Sequence, residues 1–308
     1  MNIKTTFFIS LLSCPFLTNC ALLKKVRPLK QYNTSWQQNE TSSSKTSPHL
    51  FVDVVIIHVE GSTIDWKDLK KQFQVAHKTF KRQGVMLNLI KAIKVKTPRH
   101  WHKINVDEVN GTQETGLDFY KTIEKKKKKL SKKATKHFSH LIQDFENKDR
   151  TIFLLTLNEI SMGILEKNEG RDTYRVKNFK VGGYSFPSYI YQDRIPSHLR
   201  GVITLGRKSK TNSIMAHELA HKLINASHEG GSSCPKFSGT KIPGILGYTG
   251  STQILSGVEG RFHGERLRKS PFVYQIKNDK KVWNTDYQKD GVYSDPIYGK
   301  YIMTPVCP

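Results

Sequence analysis

Between Thr211 and Glu229 the chain reads TNSIMAHELAHKLINASHE, and His217-Glu218-Leu219-Ala220-His221 sets two imidazoles four residues apart with a carboxylate beside the first. On a helix, positions i and i+4 share a face, so His217 and His221 can offer ring nitrogens to one tetrahedral metal ion at about 2.0–2.1 Å. Zn2+ is the ion this H-E-x-x-H spacing suits. Zinc lowers the pKa of a bound water towards about 7, and Glu218 stands where a general base would take that water's proton as it attacks a polarised peptide carbonyl. The third protein ligand must come from elsewhere. The nearest candidate is His228 in Asn225-Ala226-Ser227-His228, because asparagine tolerates the left-handed conformation that ends a helix and turns the chain back. The other reading of His228 is an ordinary loop histidine.

The elements around the motif support a metal site. Ile214, Met215, Ala216, Leu219, Ala220, Leu223, Ile224 and Ala226 make the helix apolar on all sides, with Lys222 its only other charge, which predicts a central, buried helix. Two histidines and a glutamate buried there without a metal would leave costly unpaired polar groups. Thr211, Asn212 or Ser213 can cap the helix, and Gly201–Gly206 reads as a short buried strand just upstream. Further back, Phe51–Val59 is a β-branched run suited to a buried strand, and Trp66, Leu69, Phe73, Ala76 and Phe80 recur at helical spacing. Val85–Val95 and Thr151–Leu157 read as strands, and the lysine-rich stretch from roughly Leu117 to Phe145 reads as an amphipathic helix. Gly182-Gly183-Tyr184-Ser185-Phe186-Pro187 suggests an edge strand, since Pro187 cannot donate to a ladder. Alternating strands and helices predict a layered α/β or α+β domain.

The 308 residues are 37% hydrophobic and 10% aromatic, with only 4 Cys, enough to bury a core without disulfide staples. That excludes a cysteine scaffold and a wholly disordered chain. Past the N-terminus no apolar stretch reaches 18 residues, which excludes a polytopic membrane protein. Fifty Lys+Arg against 26 Asp+Glu give a formal charge of +24, either a compositional bias spread over the surface or a face that meets polyanions. The lysines run from Lys24 to Lys300, which favours the first reading. The densest run, Lys125–Lys129 followed by Lys132, Lys133 and Lys136, has no interleaved aromatics to stack bases, so no specific nucleic-acid partner is expected. Residues 1–20 read as a signal peptide, ending in Leu17-Thr18-Asn19-Cys20, which resembles a lipobox with Asn19 in place of the usual small residue. Lipidation of Cys20, making a membrane tether, and simple cleavage nearby both fit. Residues 21–48 are expected to form a flexible polar tether, 49–308 the catalytic domain, and the protein is expected to be secreted or held at the cell envelope. Cys234 and Cys307 are the internal cysteines, a candidate disulfide.

Taken together, these residues resemble the metzincin clan of zinc endopeptidases, whose motif is H-E-x-x-H-x-x-G-x-x-H with a downstream Met-turn. Tyr301-Ile302-Met303-Thr304-Pro305 is similar to the Met-turn of the adamalysin and reprolysin branch. The resemblance implies a zincin-like α+β fold: a twisted mixed sheet with the active-site helix in an upper subdomain (49–228) and an irregular lower subdomain (229–308). It further implies Zn2+ on His217, His221 and His228, catalysis by Glu218, Met303 as an apolar floor, and an edge strand at Gly183–Phe186 that pairs with extended peptide or protein substrate. A monomer is expected. The chain departs from the pattern in four ways. One extra residue separates His221 from His228, Asn225 stands where the family has glycine, about 75 residues separate His228 from Met303, and five residues follow Met303. An added helical residue rotates the following chain by about 100°, so His228 can coordinate only if the helix end adjusts. Otherwise His263 is the reserve ligand, or Glu259 or Glu265 in a thermolysin-like arrangement, although the N-E-x-x-S-D pattern of that arrangement is absent. Two rival functions stay open: a non-catalytic envelope protein whose basic surface binds polyanions, and a zinc amidase acting on cell-wall peptides. Glu218 argues against the first, because a purely structural site needs no acid beside its first ligand.

Overall fold

The computed structural model describes residues 27–32, 50–107, 114–115, 129–167, 169–170, 173–191, 194–206, 212–226, 228, 244–247, 250–256 and 262–287. Its centre is β2 (Leu50–Val59), in which Val52 to Val59 are all buried. A buried run of this kind, apolar except for Asp53 and His58, belongs to a strand covered on both faces. Parallel neighbours flank it, β3 (Val85–Lys96) on one side and β6 (Ile152–Thr156) on the other. The twisted mixed sheet continues as β1-β3-β2-β6-β10-β9, with β1 (Arg27–Gln31) antiparallel at one end. At the other end β10 (Val202–Leu205) runs parallel to β6, and β9 (Gly183–Tyr184) runs antiparallel to β10 as the edge expected from Pro187. A hairpin, β11 (Val273–Lys277) and β12 (Lys280–Trp283), joins β2 at Phe51 and Val52, before β6 begins to pair. A smaller sheet has the order β4-β7-β8-β5, from β4 (Lys103–Asn105), β5 (Glu114–Thr115), β7 (Glu159–Lys167) and β8 (Tyr174–Val181).

The alternation of β2 side chains divides the core in two. Val52, Val54 and Ile56 face Leu69, Phe73 and Phe80 of α1 (Trp66–Lys81), together with the apolar residues of the histidine helix. Val55, Ile57 and Val59 face Phe138, Trp101, Phe186 and Tyr191. α1 starts where Asp65 caps it, its carboxylate accepting from the Asp68 N–H at 2.8 Å. Helices lie on both sides of the mixed sheet with a second sheet beside it, an α+β arrangement as expected. Among the described residues no helix is long and apolar enough to cross a membrane.

Two expectations about extent change. β1 lies inside the segment read as tether: Arg27–Gln31 pair with β3, the Tyr32 N–H donates to Ala92 O at 2.8 Å, and the Tyr32 ring stacks on Trp66. Without β1, β3 would carry an unpaired outer edge, and a backbone pairing of this kind has no apolar alternation to announce it. Pro28 is tolerated because the strand is at the sheet margin, with a bulge between Pro28 and Lys30. The lysine-rich helix is also shorter than expected. It is α2 (Lys132–Leu141), because Leu130 bridges to Asp107 and Ser131 caps the helix, its hydroxyl accepting from Ala134 N–H at 3.1 Å and donating to Asn105 O at 2.7 Å. Residues 1–26 and 33–49, with the signal peptide and Cys20, fall outside the described residues, as do 116–128 and the Cys234 and Cys307 positions.

Candidate metal centre

The short α3 (Ser188–Tyr191) precedes β10, and β10 feeds α4 (Ile214–Ala220), which carries His217 and Glu218. Ser213 holds the cap position without a capping side-chain bond, after Asn212 in the left-handed region at φ 53°. Met215, Ala216, Leu219 and Ala220 are buried, as the all-round apolar pattern requires.

The helix does not continue as an α-helix. His221–Asn225 form a π-helical turn, and Asn225 then turns left-handed at φ 56°. A π turn closes from i to i+5 and so holds one residue more than an α turn. The extra residue between His221 and His228 is therefore taken up inside the widened turn, and Asn225 adopts the conformation for which glycine is the default. His228 returns to the helix face. The three Nε2 atoms form a triangle with edges of 3.0 Å (His217–His221), 3.2 Å (His217–His228) and 3.3 Å (His221–His228). A tetrahedral ion at 2.0–2.1 Å needs its nitrogen ligands about 3.3 Å apart.

Tautomers sharpen that fit. His217 Nδ1 lies 2.7 Å from Ile245 O and His221 Nδ1 2.7 Å from Ala226 O. A carbonyl only accepts, so each Nδ1 carries the proton and each Nε2 turns a lone pair into the triangle. Lone pairs held at 3.0 Å call for a cation between them, and carbonyls that orient ligand histidines are the usual support of such a site. Burial, followed by the neighbouring imidazoles, pushes the His221 pKa well down, and burial with His217 pushes His228 down to about 4. Both rings are thus neutral near pH 7, the form that binds a metal. Among the described residues, His217, His221 and His228 are the only group of three such side chains placed to share an ion such as zinc.

Glu218 is buried beside the triangle. Burial raises its pKa to about 8, against the hydrogen bond from Ser185 and the charge of Lys222. A dication held by the histidines acts in the other direction, favouring the carboxylate. The edge strand lies directly over this group: a Cβ on Gly183 would come within 2.7 Å of Glu218 Cγ and 2.9 Å of Oε1. Lys222, in the π turn, is 2% exposed and donates from Nζ to Phe186 O at 2.8 Å. It fastens the end of the edge segment, where Phe186 is left-handed at φ 48°, to the histidine helix.

Among the expected site residues, the structure brings together His217, Glu218, His221 and His228. His263 is buried at the start of α5 (His263–Lys269), outside the triangle, and Glu265 follows it on the same helix. Glu259 and Met303 lie outside the described residues. Sequence reasoning placed Gly183 and Ser185 on the edge strand but did not reach their contacts with Glu218, and it missed the roles of Lys222 and Ile245. The lone lysine in an otherwise apolar helix was the available signal for Lys222, and the glycine pair before Tyr184 was the signal for Gly183. Nothing in the sequence marked Ile245, whose carbonyl is fixed by a bridge between Gly244 and Gln253 and comes from the long segment after His228. No protein-family model and no curated protein matches the chain. What the structure adds to the sequence motifs is the group of three histidines, compatible with a zinc site.

Proposed function

We propose that the chain is a zinc-dependent metalloendopeptidase of metzincin-like architecture, exported and working as a monomer on peptide or protein substrates at the cell envelope or outside the cell. The observation that carries this reading is the triangle of three Nε2 atoms with the Glu218 carboxyl buried beside it. Zinc held by His217, His221 and His228 would supply a Lewis acid and a water made acidic enough to lose its proton near neutral pH. Glu218 would serve as the general base towards the attacking water and as the acid towards the leaving amine, holding the proton on a carboxylate oxygen in between. Ser185 and the bare backbone of Gly183 fix the carboxylate in one position, so the proton acceptor is oriented before substrate arrives. β9, with its outer edge away from β10, gives an extended peptide a strand to pair with.

The test joins metal content to turnover. The purified chain is expected to carry one zinc per molecule and to cleave peptides from a mixed library. Glu218→Gln should keep the zinc and lose about 100- to 10,000-fold in kcat. Equal turnover in that variant would remove Glu218 as the base. Zinc retained undiminished in His228→Ala would remove the third ligand.

A further inference from the structure

Away from the histidine triangle, a cavity of about 510 Å3 opens between the turn after β2, the 99–103 segment and the start of α2. Its walls include Gly61, Arg99, His100, His102, Lys103 and Lys133, and among the described residues no acid lines it. The geometry points to a binding site here for a phosphate-type oxyanion, with Arg99 and Lys133 as its charged donors and His102 in its wall.

Four observations carry the assignment. Arg99 and Lys133 are exposed at the cavity, and among the described residues no carboxylate pairs with either. Of the described acids nearby, Glu159 pairs with Lys180 at 2.8 Å and with the cavity's Lys103 at 3.9 Å, and Glu60 pairs with Lys94 at 3.7 Å. Second, α2 begins Lys132-Lys133 and has no acid in its first turn. Cations at the positive end of a helix are unfavourable, and a bound anion is the charge that position wants. Lys133 is held there, donating to Lys103 O at 3.1 Å. Third, His102 lines the cavity beside Arg99 and His100, and its Nε2 has no hydrogen-bond partner among the described residues. Gly61, left-handed at φ 84°, packs against the other side of that ring, where a Cβ would come within 3.2 Å of it. Fourth, the local field is strongly positive. The neighbouring His137 is pushed down to about 3, by burial first and then by Lys133, His100, Lys136 and His140.

An arginine, a lysine and an imidazole in one concavity suit the several oxygens of a phosphoryl group better than a single carboxylate. Such a group can come from a soluble phosphate or from a lipid headgroup. Neither Arg99 nor Lys133 touches the histidine triangle, so the outcome is independent of peptide hydrolysis.

The experiment titrates the full chain with inorganic phosphate near neutral pH at constant ionic strength, reading the histidine ring nitrogens by NMR. Saturating shifts at His102 and His100 are expected, with a dissociation constant about tenfold or more higher in the Arg99→Ala/Lys133→Ala variant. Both replaced side chains are exposed, so the variant should keep its fold, which circular dichroism checks. In parallel, sedimentation with phosphatidylglycerol vesicles, against phosphatidylcholine, separates the sources. Vesicle binding that the double variant loses assigns the phosphate to a lipid, and saturable inorganic phosphate without vesicle binding assigns it to a soluble ligand. Shifts that never saturate, or that saturate alike in the variant, would overturn the site if vesicle binding is also indifferent to the variant.

Discussion

Gly183 has no side chain where the Glu218 carboxyl needs room. Its φ is ordinary, so the backbone would accept alanine, and the cost of Gly183→Ala falls on the carboxyl group that a Cβ would meet at 2.7 Å. Displacing a catalytic group by a fraction of an ångström costs between about 10- and 100-fold. The variant is therefore expected to bind zinc at wild-type stoichiometry and to lose turnover by that factor, measured by elemental analysis beside a peptide assay. Unchanged kcat would mean that the carboxyl can shift without penalty. The ligand histidines and Glu218 were legible in the sequence because fixed spacing on a helix is itself the chemical signal. The contacts of Gly183 and Ile245 were not, since each acts through absence or through a backbone atom, and the fold alone decides which group they meet.

At the level of elements, the π turn at His221–Asn225 decides whether the third histidine reaches the site. Counting residues along an ideal helix put His228 about 100° out of place, and that reasoning missed the widened turn because a π turn leaves no residue signature of its own. Asn225 is the partial exception. Its left-handed φ of 56° is readily available to glycine and asparagine, and costs other residues about 1–2 kcal/mol. Asn225→Gly should therefore keep zinc affinity, whereas Asn225→Ala should lower stability by about 1–2 kcal/mol and weaken zinc, both read by chelator competition and denaturant melts. Equal behaviour of the two variants would detach the turn from metal binding. β2, β3, β6, α1 and β10 matched their apolar periodicity closely, because each buries a continuous face. β1 and the start of α2 did not, because one is set by backbone pairing and the other by the Ser131 cap.

For the whole molecule, stability should fall in acid for a reason outside the metal centre. His137 is buried against Trp101, with ring centroids 4.0 Å apart, and its pKa is held down at about 3. The unfolded chain has this group near 6.5, so between these values the unfolded state binds more protons and stability rises with pH. Its contribution is complete above about pH 6.5 and is lost as pH falls towards 3, at up to about 1.4 kcal/mol per pH unit. His137→Phe is expected to flatten that limb of a melting-temperature profile, and a profile of unchanged slope would discard the account. The strand at Arg27–Gln31 bears on how the molecule would work if Cys20 is lipidated. Seven residues of fully extended chain span about 25 Å at most, so a lipid on Cys20 would moor the sheet within that distance of the bilayer. The residues read as a flexible tether would then give the protein little reach, and whatever it acts on would have to come to the membrane surface.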